Sequence, residues 1–191
     1  MSNKIKYGIK NVYYAVATIA ANGSATYSTP VALPGAVSLS MEAQGDQNTF
    51  YADNIAYFVS QANNGYQGDL ELALIPDAFR KDILGEYETN NGKVLLEEME
   101  ANPAHFALLF QFEGDVNATR YCMYNCVASR PSAASQTKAE SIDPQTETIT
   151  VTATSVYNAS LDKDIVRAKT GDSTTTAVYN GWFSTVYVAT T

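Results

Sequence analysis

Period two dominates this chain. Val37, Leu39 and Met41 alternate with Ser38, Ser40 and Glu42, and Leu70, Leu72 and Leu74 with Asp69, Glu71 and Ala73. Phe106, Leu108, Phe110 and Phe112 alternate with Ala107, Leu109, Gln111 and Glu113, and Ile149, Val151 and Ala153 with Thr148, Thr150 and Thr152. Successive side chains on a strand point to opposite faces, so each run predicts a strand with one face in a core. Residues 11–19, 57–61, 120–128 and 182–188 are rich in β-branched and aromatic residues and read as further strands. The run over 106–112 is the most apolar and is expected at the centre of the sheet. Turn signals at 22–23, 63–65, 90–92 and 114–119 separate these runs. Residues 42–56 predict a hairpin with a long loop, 93–100 are ambiguous between strand and helix, and 129–139 and 170–176 read as loops.

One segment breaks the period. Pro76 suits the first turn of a helix, and Asp77 suits its positive end. Ile75, Phe79 and Ile83 then recur four apart, and Gly85 offers a left-handed cap. A helix of about nine residues does not persist alone in water. Phe79 and Ile83 are therefore expected to dock it on the sheet. With roughly eight to ten strands and regular turns, the fold class is mainly β (α+β), an antiparallel β-sandwich or barrel with one flanking α-helix.

Composition narrows the function. The 191 residues fit a single domain over 1–191. A formal charge of −8 argues against a surface that grips DNA or docks on an acidic membrane. Residues 1–10 hold no apolar leader, and no apolar run is long enough to span a membrane. Cys122 and Cys126 are the only cysteines. On one strand they would lie ~13 Å apart, too far for a disulfide. They read as two buried thiols on the same face, in a reducing compartment.

No catalytic constellation emerges. No G-x-S-x-G, H-E-x-x-H or phosphate-binding loop occurs, and His105 is the only histidine. The acids at 86–88 and 97–100 read as a solvated face. Asp46, Asp53 and Asp69 lack the spacing of a calcium loop. No enzyme activity, cofactor or metal is expected. Aromatics are more informative: Tyr13-Tyr14, Phe50-Tyr51, Tyr57-Phe58 and Trp182-Phe183 are adjacent pairs. Only one of each pair can enter a single core. The other meets solvent, the helix, a second core layer or a neighbouring subunit, where Tyr, Trp and Phe are favoured.

Read in order, YYAVATI, TPVALPGAVSLSMEAQGD, FYADN, NNGYQGDLELALIPDAFRKDILGE, FALLFQFEGD, RYCMYNCVASRPS and TETITVTAT resemble the major tail protein, or tail tube protein, of long-tailed, non-contractile bacteriophages of Gram-positive hosts. The resemblance runs from about Lys4 to Trp182-Phe183, and LELALIPDAFRKDILGE is its most specific part. It implies a tail-tube β-sandwich, hexameric rings that stack into a tube, and passage of double-stranded DNA through the channel without specific binding. It implies self-association and partners among other tail proteins: tape measure, tail tip and tail terminator. It also implies assembly in the host bacterial cytoplasm and residence in the virion tail, with no membrane. The loop at 42–56 and the terminal arms would make ring-to-ring contacts. Within that picture Glu42, Asp46, Asp69 and Glu71 are candidate channel-lining acids, and Phe50, Tyr51, Asp53 and Trp182 are candidate subunit contacts. A carbohydrate-binding β-sandwich and a head-decoration protein are the alternatives. The first would gather its aromatics in one groove, whereas here they are scattered. The second lacks the segment matches.

Overall fold

In the computed structural model, which describes residues 3–137 and 144–190, the elements follow in this order. They are β1 (Lys6–Ile19), β2 (Ala25–Tyr27), β3 (Val31–Ala32), β4 (Ala36–Ala43), β5 (Gln47–Ala52), β6 (Ile55–Gln61), β7 (Tyr66–Leu72) and α1 (Asp77–Phe79). The short α1 runs on as a π-type turn, Arg80–Leu84. Then come β8 (Tyr87–Glu88), β9 (Leu95–Leu96), β10 (Phe106–Gly114), β11 (Thr119–Ala128), β12 (Glu147–Thr154), β13 (Val156–Asn158), β14 (Lys163–Ile165), β15 (Arg167–Lys169) and α2 (Thr176–Gly181).

Nine strands form one antiparallel sheet in the order β2-β1-β10-β11-β12-β7-β4, with β3 also on β1 and β15 on β11. The sheet curls until β4 comes back beside β1. Its concave side encloses an inner core that includes Tyr14, Leu70, Leu72, Leu108, Phe110, Ile149 and Val151. The convex side of β1, β10 and β11 carries an outer core of Ala15, Ala107, Leu109, Cys122, Tyr124, Val156 and Trp182. Because β10 lies between two cores, residues 106–111 are all buried, as the most apolar run predicts for a central strand. The mainly-β sandwich with a small docked helix agrees with the sequence.

The helix docks with Ile75, Phe79, Ile83 and Leu84 all buried. Phe79 meets Tyr14 and Phe106 edge-on, with ring centroids at 5.1 and 5.7 Å. Burial of these side chains holds a helix too short to stand alone. It is wound more loosely than expected: one α turn passes into a π turn, whose wider i→i+5 spacing lets adjacent Ile83 and Leu84 both reach the core. Gly85 takes the left-handed cap, at φ 76°. Arg80 then ties the helix to the sheet, 2.9 Å from Glu147 on β12 and 3.2 Å from Glu86.

Several expectations are corrected. Alternation predicts Cys122 and Cys126 on one face, yet Cys122 belongs to the outer core and Cys126 to the inner one. The pairing of β10 with β11 jumps from Phe106↔Cys126 to Leu108↔Met123, so one extra residue on β11 reverses every later side chain. Both thiols are free and buried. Leu74 is 68% exposed, because β7 ends at Leu72 instead of running on. Residues 182–188 are not a strand. A second helix, α2, precedes them, and Trp182 caps its end. That helical turn lets Trp182 and its neighbour Phe183 both pack on the outer core, which a strand would forbid. Segment 93–100 holds only the two-residue strand β9. The segment 42–56, expected as a hairpin with a long loop, instead ends β4 and builds a ribbon, β5 paired with β6, whose register shifts between Phe50 and Tyr51.

Candidate functional site

The polar face of β4, β7 and β12 is built by register. Ser38 lies opposite Glu71 and Glu71 opposite Thr148; Ser40, Asp69 and Thr150 form the next row; Glu42, Gln67 and Thr152 form the third. The intervening Leu39, Met41, Leu70, Ile149 and Val151 point into or pack on the inner core, so the polar rows face away from it. Three acids, Glu42, Asp69 and Glu71, thus share one surface, and no lysine or arginine occurs in these three strands.

Hydroxyls order this face. Thr146 and Ser38 donate to the two oxygens of Glu71 at 2.6 and 2.7 Å, and Thr150 donates to Asp69 at 2.7 Å. The bonds from Thr146 and then Ser38 favour the charged form and hold the Glu71 carboxyl below its ordinary range. Gly68 makes the close strand approach possible: a Cβ there would lie 1.7 Å from the Ser40 carbonyl oxygen. Asp46 does not join the row. It sits at the foot of the β5–β6 ribbon, where its carbonyl accepts from the Ala62 amide at 3.0 Å.

The ribbon is the second feature. Asp53 and Asn54 form its tip, both with positive φ (52° and 59°), the geometry of a two-residue hairpin turn matched to strand twist. Phe50, Tyr51, Ile55, Tyr57 and Phe58 are all 61–72% exposed. Phe50 pairs with Phe58, but neither enters a core. A lone two-stranded ribbon is marginal in water, and clustered exposed apolar side chains mark an interaction surface. Phe50, Tyr51 and Asp53 are therefore brought together. Trp182 is not among them: it is 3% exposed, donates its indole N–H to the Tyr121 carbonyl at 3.2 Å and stacks on Tyr187. Its burial leaves it no surface for a neighbouring subunit.

The aromatic pairs divide by fate. Tyr14 fills the inner core and Tyr13 stacks on Phe183 in the outer one, whereas the pairs at 50–51 and 57–58 remain on the surface. His105 Nδ1 lies 2.7 Å from the Asn125 side-chain oxygen. Among the described residues no three His, Cys, Asp or Glu side chains gather as a metal site, and no helix is long and apolar enough to cross a membrane. Met99 projects from a turn between Glu98 and Glu100 and is exposed; its only signal in the sequence is a lone apolar side chain set among three acids, Glu97, Glu98 and Glu100.

A family model described as "Phage tail tube protein" matches residues 1–182. No curated protein matches the chain. Among solved structures, the chain resembles a chain from the cryo-electron-microscopy structure of the anti-feeding prophage (AFP) baseplate, 6-fold symmetrised. Identity is 9%, coverage is 91% of this chain and 99% of that one, and the TM-score is 0.48.

Proposed function

Because this chain belongs to the phage tail tube protein family, we propose that it self-associates into hexameric rings that stack into a tube through which the phage genome leaves the virion. It is a structural protein of the phage tail, and its place is the virion tail. The observation that carries the channel reading is the face of β4, β7 and β12. It is acidic and hydroxyl-rich, holds no base, and lies opposite the inner core. Negative walls repel phosphates and leave no stripe of lysine and arginine on which DNA would stall. Glu42, Asp69 and Glu71 line the channel in this reading, while Asp46, at the ribbon's foot, belongs to the rim. The exposed aromatics of the ribbon supply a contact between subunits or rings, with Phe50, Tyr51 and Asp53 in it.

The finer assignment follows the segment resemblance. The tail is non-contractile, the host is Gram-positive, and tubes assemble in the host cytoplasm on partners of the tape-measure, tail-tip and tail-terminator kinds. No catalytic role is included. Electron microscopy of the purified, concentrated protein, with its mass measured in solution, tests the proposal. Rings or tubes with a central hole are the expected result. Compact solid particles, or a monomer at every concentration, count against self-assembly into a channel.

A further inference from the structure

The two ends of the curled sheet differ. At one end α1 and its π turn plug the inner core against Tyr14 and Phe106. At the other end the core opens into a cavity of about 290 Å³ lined by Tyr66, Phe110, Phe112 and Tyr121. Two cations stand at this mouth. Lys6 Nζ lies 4.5 Å from the centre of the Phe112 ring, and the Arg167 guanidinium 4.8 Å from that of Tyr66. The lining contains no acid.

The plugged end carries the complement. Residues 97–100 read Glu-Glu-Met-Glu. Met99 is 94% exposed, the highest value for any large apolar side chain among the described residues. Glu97 is engaged by Arg130 at 2.9 Å, whereas Glu98 and Glu100 make no ion pair among the described residues. The Ala104 amide donates to the Ile83 carbonyl at 2.8 Å, which ties the segment following this turn to the helix end.

We propose that Met99 of one copy seats in the aromatic mouth of the next, with Glu98 and Glu100 set against Lys6 and Arg167. The inference rests on the tube reading, which requires copies of this chain to repeat. A thioether packs well on aromatic rings. Opposite charges around it hold the register and disfavour mouth-to-mouth contact, where cations would face cations. The contact joins unlike surfaces, so it repeats from copy to copy, closing as a ring or continuing as a stack.

Cross-linking of the full chain tests it. One preparation carries Met99→Cys and another Met41→Cys, a half-buried position that lines the mouth and packs on the inner core. The native thiols are buried and do not compete. The two are mixed, concentrated and oxidised, and disulfide-linked dimer is read on a non-reducing gel. Because a disulfide forms only when Cα atoms come within about 7 Å, the mixture should give at least about tenfold more dimer than either preparation alone. Equal yields from mixture and controls, with rings or tubes present in the microscope, overturn this contact and leave the tube reading standing. No particles and no cross-link overturn both. As a second arm, Lys6→Glu with Arg167→Glu should raise the concentration needed for assembly about tenfold, which corresponds to ~1.4 kcal/mol. Adding Glu98→Lys and Glu100→Lys should restore it; failure to restore overturns the charge pairing.

Discussion

Tyr13 and Tyr14 sit side by side in the chain and belong to different cores. Their opposite facing follows from strand geometry and was legible in the sequence, whereas the outer core that receives Tyr13 was not. The fate of Cys122 and Cys126 was not, because a single extra residue in β11 reverses the alternation and nothing in RYCMYNCVA announces it. Asn11 and Gly8 on β1, at φ 51° and 59°, mark two more such irregularities. At this scale Phe79→Ala is expected to destabilise the fold by about 3–5 kcal/mol, since the ring is fully buried between Tyr14 and Phe106. Urea unfolding measures the loss, and a change near zero would mean the ring is not packed as described. Glu71 gives a pH prediction. Its folded pKa lies below the ordinary 4.5. A depressed pKa stabilises the fold above the unfolded value, and the contribution disappears as pH falls through the folded one. The Glu71 carboxyl carbon shift should therefore titrate below 4.5. In Thr146→Ala with Ser38→Ala the midpoint should rise. An unmoved midpoint would show that these hydroxyls do not hold the carboxylate.

Elements were legible where a face had to be buried and obscure where neither face enters the chain's own core. The threonine run of β12 and the leucines of β7 show their faces plainly. The β5–β6 ribbon does not, since both its sides carry exposed aromatics and no alternation separates inside from outside. The end of the chain misled for another reason. Trp182 and Phe183 imitate a strand, but a six-residue helix before them turns both onto the outer core. The ribbon carries its own prediction. Its amides should exchange quickly in the monomer and slowly in the assembled tube, because a two-stranded ribbon gains its stability from what packs on it. Equal protection in the two states would remove it from the subunit contacts. Tyr51→Asp with Phe58→Asp should abolish assembly while leaving the circular dichroism and the unfolding midpoint of the monomer unchanged, as both rings are exposed.

For the whole molecule, the acidic face makes a statement about DNA that a variant can reverse. Asp69→Lys with Glu71→Lys should leave the fold intact, since Asp69 is exposed and the half-buried Glu71 lies on the polar face outside the core, and should make assembled tubes retain short duplex DNA in a salt-dependent way. Fluorescence anisotropy reads the retention; tubes that still ignore DNA would place this face away from the channel. The general charge and the polar side of each of these three strands were visible in the sequence. Their convergence on one surface was visible only through the register, and the departure of Asp46 from it only through the ribbon. The paired cores have a further consequence. Burial pushes both thiols up, that of Cys126 to about 12, so neither reacts until its own layer opens. With one thiol in each layer, the chain carries two independent clocks. Timed alkylation, followed by mass spectrometry of the peptides, would report which side of the sheet comes apart first, and whether joining a tube slows both clocks or only one.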